Sequence, residues 1–252
     1  MLYLIGAGLN PWQISLEGLS AIKKCRAIFI DTYTSQFAHG TLEELEETIG
    51  KKPHALKRAH LEENAGDLIE KAKDHDIALL IIGNPLTATT HIQLALDAKK
   101  KGVECTILPG ISIINYLPFT GLDAYKFGRT ATIVEPQEGH APTSFFDYIL
   151  INRENDLHTP CLLDIRAEEK RLLSIPQAIG ILEETAQKKR KNIGDWVLIG
   201  LAGMGGKKPQ IKAGTPAELK AFKFTSFPQS LIVCGKLNEK ELEALKTLGG
   251  LK

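Results

Sequence analysis

The stretch Ile77-Ala78-Leu79-Leu80-Ile81-Ile82-Gly83-Asn84-Pro85-Leu86-Thr87-Ala88-Thr89-Thr90-His91 decides the reading of this chain. Six apolar residues, Ile77 to Ile82, run without a polar break into a turn of small and hydroxyl-bearing side chains. Such a run is a buried strand. Ligands of open α/β sheets settle outside the carboxyl ends of the strands, and Gly83-Asn84-Pro85 supplies a sharp turn there. A strand opening onto a binding loop is one reading; an ordinary strand-to-helix connection is the other.

Two further loops of the same kind favour the first reading. Gly6-Ala7-Gly8-Leu9-Asn10-Pro11 follows the apolar strand Leu2 to Ile5 and precedes a helix expected to start near Ser15. Pro109-Gly110-Ile111-Ser112-Ile113 follows a strand around Cys105 to Leu108. If these strands are parallel neighbours, all three turns face one crevice, and a small-molecule site is the natural inference.

Working outward, strands and helices alternate. Ala27 to Ile30 is a short buried strand ending at Asp31. Leu61, Ala65, Leu68, Ile69 and Ala72 share one face of a helix. Ala88 to Lys101 reads as a helix capped by threonines at its start and stopped by Gly102. Repeated βα units argue for a mostly parallel sheet with helices on both faces. Beyond Tyr116 to Leu122 the texture changes. Strands are expected at Thr130 to Val134, Pro160 to Asp164, Trp196 to Leu201, Gln210 to Lys212 and Leu231 to Cys234. Helices are expected around Thr143 to Arg153, Ile175 to Lys189 and Lys240 to Leu248. The Gly203 to Pro209 loop with the strand after it reads as a hairpin. The fold class is thus α/β in two domains, 1–118 with a mostly parallel sheet and 119–252 with a mixed sheet.

Composition bounds the function classes. The chain has 252 residues, 43% hydrophobic, with a formal net charge of +1. That is ample for buried cores and gives no global electrostatic case for nucleic acid or membrane. No apolar run approaches the roughly 18 residues needed to span a bilayer. Met1 leads directly into a strand rather than into a signal sequence, so a cytoplasmic protein is expected. Cys25, Cys105, Cys161 and Cys234 are isolated in mostly apolar surroundings, as core fillers in a reducing compartment are. His39, His54, His60, His75, His91, His140 and His158 lack metal-ligand spacing, so no metal site is expected. Gly6-x-Gly8 with Asp31 at the end of the next strand invites a dinucleotide reading. Pro11 in place of the third glycine, and a helix that starts late, argue against it.

The residues then converge on a family. Leu2-Tyr3-Leu4-Ile5-Gly6-Ala7-Gly8-Leu9, Pro85-Leu86-Thr87-Ala88-Thr89-Thr90-His91, Thr120-Gly121-Leu122 with Tyr125-Lys126-Phe127-Gly128, Pro142 to Asp147 and Leu157 to Ile165 carry the resemblance in this order and spacing. Across essentially its whole length the chain resembles the diphthine synthases, a branch of the tetrapyrrole methylase superfamily. The resemblance implies a two-domain methyltransferase using S-adenosylmethionine, with the cofactor in the cleft between the domains. It implies cofactor contacts from Leu9, Asn84, Thr87, Ser112, Ile113, Leu163, Met204 and Gln229. It also implies a homodimer whose substrate is translation elongation factor 2. The methylated group there is the amine of a 3-amino-3-carboxypropyl-histidine.

Methyl transfer from a sulfonium is an in-line displacement, so alignment can supply most of the acceleration. Only a neutral amine attacks, and Glu135 and Asp164, each after an expected strand, are candidates to accept its proton. No residue reads unambiguously as the catalytic base. Arg129, Lys126, Arg166 and Lys170 are candidates to pair with the substrate carboxylate or the protein partner, or are solvated surface. At one position the chain departs from the family, which usually has an acid where this sequence has Asn84. Replacing a charge-assisted bond by a neutral one implies a deficit on the order of 1 kcal/mol, about fivefold in affinity. The Pro109-Gly110 turn is closer to the wider superfamily. Two alternatives follow: methylation of a tetrapyrrole (precorrin or uroporphyrinogen), and a non-catalytic protein of the same fold.

Overall fold

A computed structural model describes residues 1–58, 61, 65–166, 169 and 171–252. The chain forms two compact units, Met1–Ile114 with Arg166–Lys170, and Asn115–Ile165 with Arg171–Lys252. His60 and Lys170 lie outside the described residues.

The first unit is built on a five-stranded sheet of β1 (Leu2–Gly8), β2 (Ala27–Asp31), β3 (His54–Leu56), β4 (Ile77–Ile82) and β5 (Cys105–Leu108) in the order β3-β2-β4-β1-β5. Every pairing in it is parallel. Strand β4 shows why its sequence has no polar break. Ile77, Leu79 and Ile81 enter a core shared with the helices Ala65–Asp74 and Ile92–Lys100. Ala78, Leu80 and Ile82 enter a second core shared with the helices Leu16–Lys24 and Leu42–Ile49. Alternation therefore buries both faces, as a parallel strand under two helical layers requires.

Local chemistry sets the helix starts. Ser15 accepts a hydrogen bond from the Gly18 amide at 2.9 Å and begins the first helix where expected. Thr41 and Glu44 form a reciprocal capping box for Leu42–Ile49, a helix that was not among the expected elements. The helix expected from Ala88 begins only at Ile92, and no threonine side chain caps it. Its threonines instead belong to a tight turn in which Ala88 has φ +55. Gly102, at φ +71, ends it as expected.

The second unit carries a mixed five-stranded sheet. Its strands are β6 (Ala131–Ile133), β7 (Thr159–Leu163), β10 (Leu198–Ala202), β11 (Gln210–Gly214) and β12 (Gln229–Val233), in the order β11-β10-β12-β7-β6. Only β6 and β7 run parallel; the remaining neighbours are antiparallel. β10 and β11 form the expected hairpin. Between β7 and β10, the short β8 (Ile165–Arg166) and β9 (Arg171–Leu172) form a separate ribbon. Trp196 and Val197 precede strand β10 rather than belonging to it. Trp196 stacks on Phe146 and carries the Arg153 guanidinium 4.1 Å over its ring. The core gathers Phe145, Phe146 and Ile149 with Ile175, Ala178, Ile179 and Leu182, whose spacing marks the buried face of the helix Ile175–Lys188.

All four cysteines are free. Burial raises the thiol pKa of Cys25 to about 11 and of Cys161 and Cys234 to about 12, so these are inert core fillers. Among the described residues no cluster of side chains could hold a metal ion, and no helix is long and apolar enough to cross a membrane.

Candidate functional site

Strand order brings the three glycine turns together. β1 lies between β4 and β5, parallel to both, so the turns after Gly6, Ile82 and Leu108 emerge side by side at the carboxyl end of the sheet. Their backbones touch. A Cβ at Gly6 would lie 2.8 Å from the Gly83 carbonyl oxygen, and one at Gly110 would lie 2.7 Å from the Gly6 Cα. Neither position admits a side chain, which is the physical meaning of the glycines in these turns. Gly8 and Gly83 add a two-way backbone bridge, and Gly83 has φ +89.

Five of the residues implied as cofactor contacts stand on these turns. The Leu9 amide donates to Gln13 Oε1 at 2.8 Å, and its carbonyl accepts from Ala38 N–H at 2.8 Å. Asn84 is committed at both ends of its amide: Nδ2 donates to the Gly110 carbonyl at 3.2 Å, and Oδ1 accepts from the Leu86 amide at 3.0 Å. It therefore fastens the β4 turn to the β5 turn, and a carboxylate could not make the first of these bonds. Thr87 closes a turn onto the Asn84 carbonyl. Ser112 is buried, and Ile113 is partly exposed at the start of the short helix Ile113–Tyr116. Leu86 and Ile111, on the same turns, leave 44% and 38% of their surface exposed, an apolar rim suited to a ligand.

Behind this loop sits a pair that the spacing of the sequence did not reveal. Asp31, at the end of β2, has no exposed surface, and His91 is 3% exposed. His91 Nε2 lies 3.3 Å from Asp31 Oδ2. The Asp31 carboxylate also accepts from the Tyr33 and Thr34 amides and the Thr34 hydroxyl. Burial pushes its pKa up; the His91 imidazole, the Thr34 hydroxyl and the Tyr33 amide outweigh burial and hold it below the ordinary carboxylate value. Asp31 is thus occupied within the protein rather than open to a ribose. Both ring nitrogens of His91 are buried without a hydrogen bond of good geometry among the described residues, so its contact with Asp31 is one of ion-pair distance.

In the second unit, Leu163, Met204 and Gln229 come together at one end of the mixed sheet. Gln229 opposes Ala202 across β12 and β10, and β7 pairs on the other side of β12. Gly203, at φ +62, donates to the Pro228 carbonyl at 2.9 Å and so ties the end of β10 to the approach to β12. Gln229 Oε1 accepts from the Ile175 amide at 2.8 Å and Nε2 donates to the Ser226 carbonyl at 3.0 Å. Its side chain is used inside the unit, which leaves the backbone as its means of touching a ligand. Leu163 and Met204 are 6% and 3% exposed, and Leu163 belongs to the apolar core.

The charged candidates are largely spoken for. Lys126 Nζ lies 2.7 Å from Glu241 Oε2 and 2.6 Å from the Lys236 carbonyl. Glu241 also holds His158 Nε2 at 2.9 Å and accepts from the Asp123 and Asn238 amides. Burial raises its pKa, yet Lys126, the Asn238 amide, His158 and the Asp123 amide together lower it to about 2. Burial pushes the His158 pKa down, against the pull of Glu241. The Arg129 guanidinium stacks 3.6 Å over Tyr148, and Arg166 lies 3.8 Å from Glu169. Glu135, proposed from sequence as a proton acceptor, pairs with Arg171 at 2.5 Å, and Asp164 Oδ2 accepts from the Glu135 amide at 3.3 Å. Lys126, Arg129, Glu135 and Asp164 thus serve the internal order of the second unit, while the Arg166–Glu169 contact belongs to the first.

A parallel sheet whose turns are pinned by glycines, with an apolar rim at its carboxyl end, is a scaffold suited to a small molecule, and comparison with known proteins gives its class. Residues 1–190 match the family of Tetrapyrrole (Corrin/Porphyrin) Methylases, and the chain belongs to that family. Within it, the relatives that resemble the chain over its full length include diphthine synthases. That of Methanocaldococcus jannaschii is 40% identical, with 98% of each chain covered. That of Methanosphaera stadtmanae is 36% identical, covering 98% of this chain and 95% of its own. A crystal structure of diphthine synthase superposes with a TM-score of 0.90 at 32% identity, covering 100% of this chain and 96% of that one. By this membership the chain is an S-adenosylmethionine-dependent methyltransferase.

Proposed function

We propose that the protein methylates the amine of the 3-amino-3-carboxypropyl-histidine of translation elongation factor 2, giving diphthine in diphthamide biosynthesis. The full-length likeness to diphthine synthases carries this reading. In this reading the cofactor is S-adenosylmethionine, and Leu9, Asn84, Thr87, Ser112 and Ile113 hold it at the carboxyl end of the parallel sheet. Leu163, Met204 and Gln229 complete its contacts. In this reading the protein acts in the cytoplasm as a homodimer.

The side chains of these turns suit such a ligand. Apolar walls from Leu86 and Ile111 and polar atoms of Thr87 and Ser112 match an adenosyl group with a polar amino-acid tail. When bound, the sulfonium supplies an activated methyl group, so the protein's task is to align it with a neutral amine and to exclude water. The alternatives lose their motivation in the structure. The Pro109-Gly110 turn, which pointed to a tetrapyrrole, is explained by close backbone packing against Gly6 and Gly83. Asn84, which pointed to a lost cofactor site, fastens two turns together.

The test begins with isothermal titration of S-adenosylhomocysteine. Micromolar binding supports the cofactor site, and no binding by a folded protein rejects it. Methyl incorporation into elongation factor 2 that already carries the aminocarboxypropyl group then supports the substrate. Turnover of uroporphyrinogen with none of that protein would replace it. Ile113→Arg is expected to abolish cofactor binding with the melting temperature unchanged, because Ile113 is partly exposed. Leu163→Arg is a poorer probe, since Leu163 is packed in the core and a buried charge there would unfold the unit.

A further inference from the structure

The loop from Gly83 to His91 is held at both ends and under strain between them. At its start Asn84 is bound to Gly110 and Leu86. Inside it, the Thr89 hydroxyl donates to the Pro85 carbonyl and accepts from the His91 amide at 3.5 Å. Ala88 between them sits at φ +55, in the left-handed region that residues with a Cβ avoid. Such a conformation persists where its surroundings over-determine it. The last restraint is the His91 imidazole, which turns away from the helix it precedes, makes no cap, and lies against the buried Asp31. Its burial keeps it from touching a substrate amine directly, so any influence on the reaction passes through the loop.

We propose that the Asp31–His91 pair is a positioning element for S-adenosylmethionine, holding the Asn84–Thr90 loop, with its left-handed Ala88, in the conformation that binds the cofactor. The proposal rests on the cofactor reading given above. Asp31 is fixed on β2 by its strand pairing and by the Tyr33 and Thr34 amides, so it is the rigid partner. His91 is the movable one, carried by the loop it restrains. The pair therefore transmits the position of the sheet to Asn84 and Thr87.

The experiment measures the dissociation constant for S-adenosylhomocysteine and the melting temperature, side by side, for the wild-type chain and four variants. His91→Ala is expected to weaken binding by about tenfold or more. His91→Gln, which keeps an N–H donor towards Asp31, is expected to retain most of the affinity. Ala88→Gly, which removes the penalty of the left-handed backbone, is expected to restore part of the affinity lost in His91→Ala. Asp31→Asn combined with His91→Ala is expected to be no worse than His91→Ala alone, as for two members of one contact. Unchanged affinity in His91→Ala overturns the proposal. So does a loss that His91→Gln shares and Ala88→Gly does not relieve, which would make His91 a direct ligand contact. If His91→Ala does not fold, His91→Gln with wild-type melting and tenfold weaker binding overturns it equally. Absence of binding by the wild-type chain itself defeats the cofactor reading instead, and so separates the two failures.

Discussion

The two units treat their polar residues in opposite ways. In the first, the polar side chains at the carboxyl end of the sheet stand on turns whose backbones are locked by glycine contacts, beside exposed Leu86 and Ile111. In the second, the motif residues Lys126 and His158 are gathered by Glu241 into an internal latch. It joins the segment after Leu122 and the start of β7 to the helix Glu239–Gly249. Both sets of residues looked alike in the sequence, as charged or polar side chains in family motifs. The difference is what their bonds hold: Asn84 joins two turns beside an exposed apolar rim, whereas Lys126 and His158 close onto Glu241. A motif can be specific to a family because it holds the fold, and not because it meets the substrate.

The comparison can be broken first at the latch. Glu241→Ala removes an acceptor shared by Lys126, His158 and two backbone amides, and should cost about 3–5 kcal/mol of stability by denaturant unfolding. A loss under about 1 kcal/mol would mean the latch is ornamental. Gly110→Ala strikes the other unit, where the new methyl would crowd Gly6 and Gly83. It should cost about 1–3 kcal/mol and abolish S-adenosylhomocysteine binding, since the turns cannot stay in register.

Acidification loosens the latch through both of its titrating members. The Glu241 pKa is about 2 against an ordinary 4.5, so its stabilisation is full above about 4.5 and is lost as pH falls from there towards 2. The His158 pKa lies below its ordinary 6.5, so the unfolded chain takes up that proton first and stability begins to fall below about pH 6.5. Melting curves of the wild type should therefore decline on both counts, and those of Glu241→Ala should be flatter below pH 4.5. The smallest effect is expected for Asn84→Asp. A carboxylate gains charge towards a cofactor ammonium but loses the bond to the Gly110 carbonyl, each on the order of 1 kcal/mol. Affinity for S-adenosylhomocysteine should stay within about fivefold of wild type, and a larger gain would show that the amide bond to Gly110 matters little.

Much of this was legible beforehand in particular residues. The unbroken run Ile77 to Ile82 required burial on both faces, and the three turns after β1, β4 and β5 could meet only if those strands were parallel neighbours, which they are. The helix Leu42–Ile49 and the three-residue edge strand β3 were not among the expected elements; β3 is too short for a periodicity to read. The late start of the helix at Ile92 followed from a turn in which the Thr89 hydroxyl binds the Pro85 carbonyl instead of capping the helix.

The sequence by itself determined the two sheets, the glycine turns, the inert cysteines and the family, because each depends on residues close together in the chain or on their order along it. The tertiary structure decided the partners: that Asp31 faces His91 rather than a ribose, that Asn84 binds Gly110, and that Lys126 and His158 share Glu241. Those choices join residues far apart in the chain. They depend on strand order and register, which bring particular side chains within hydrogen-bonding distance in a low-dielectric interior where each must find a partner.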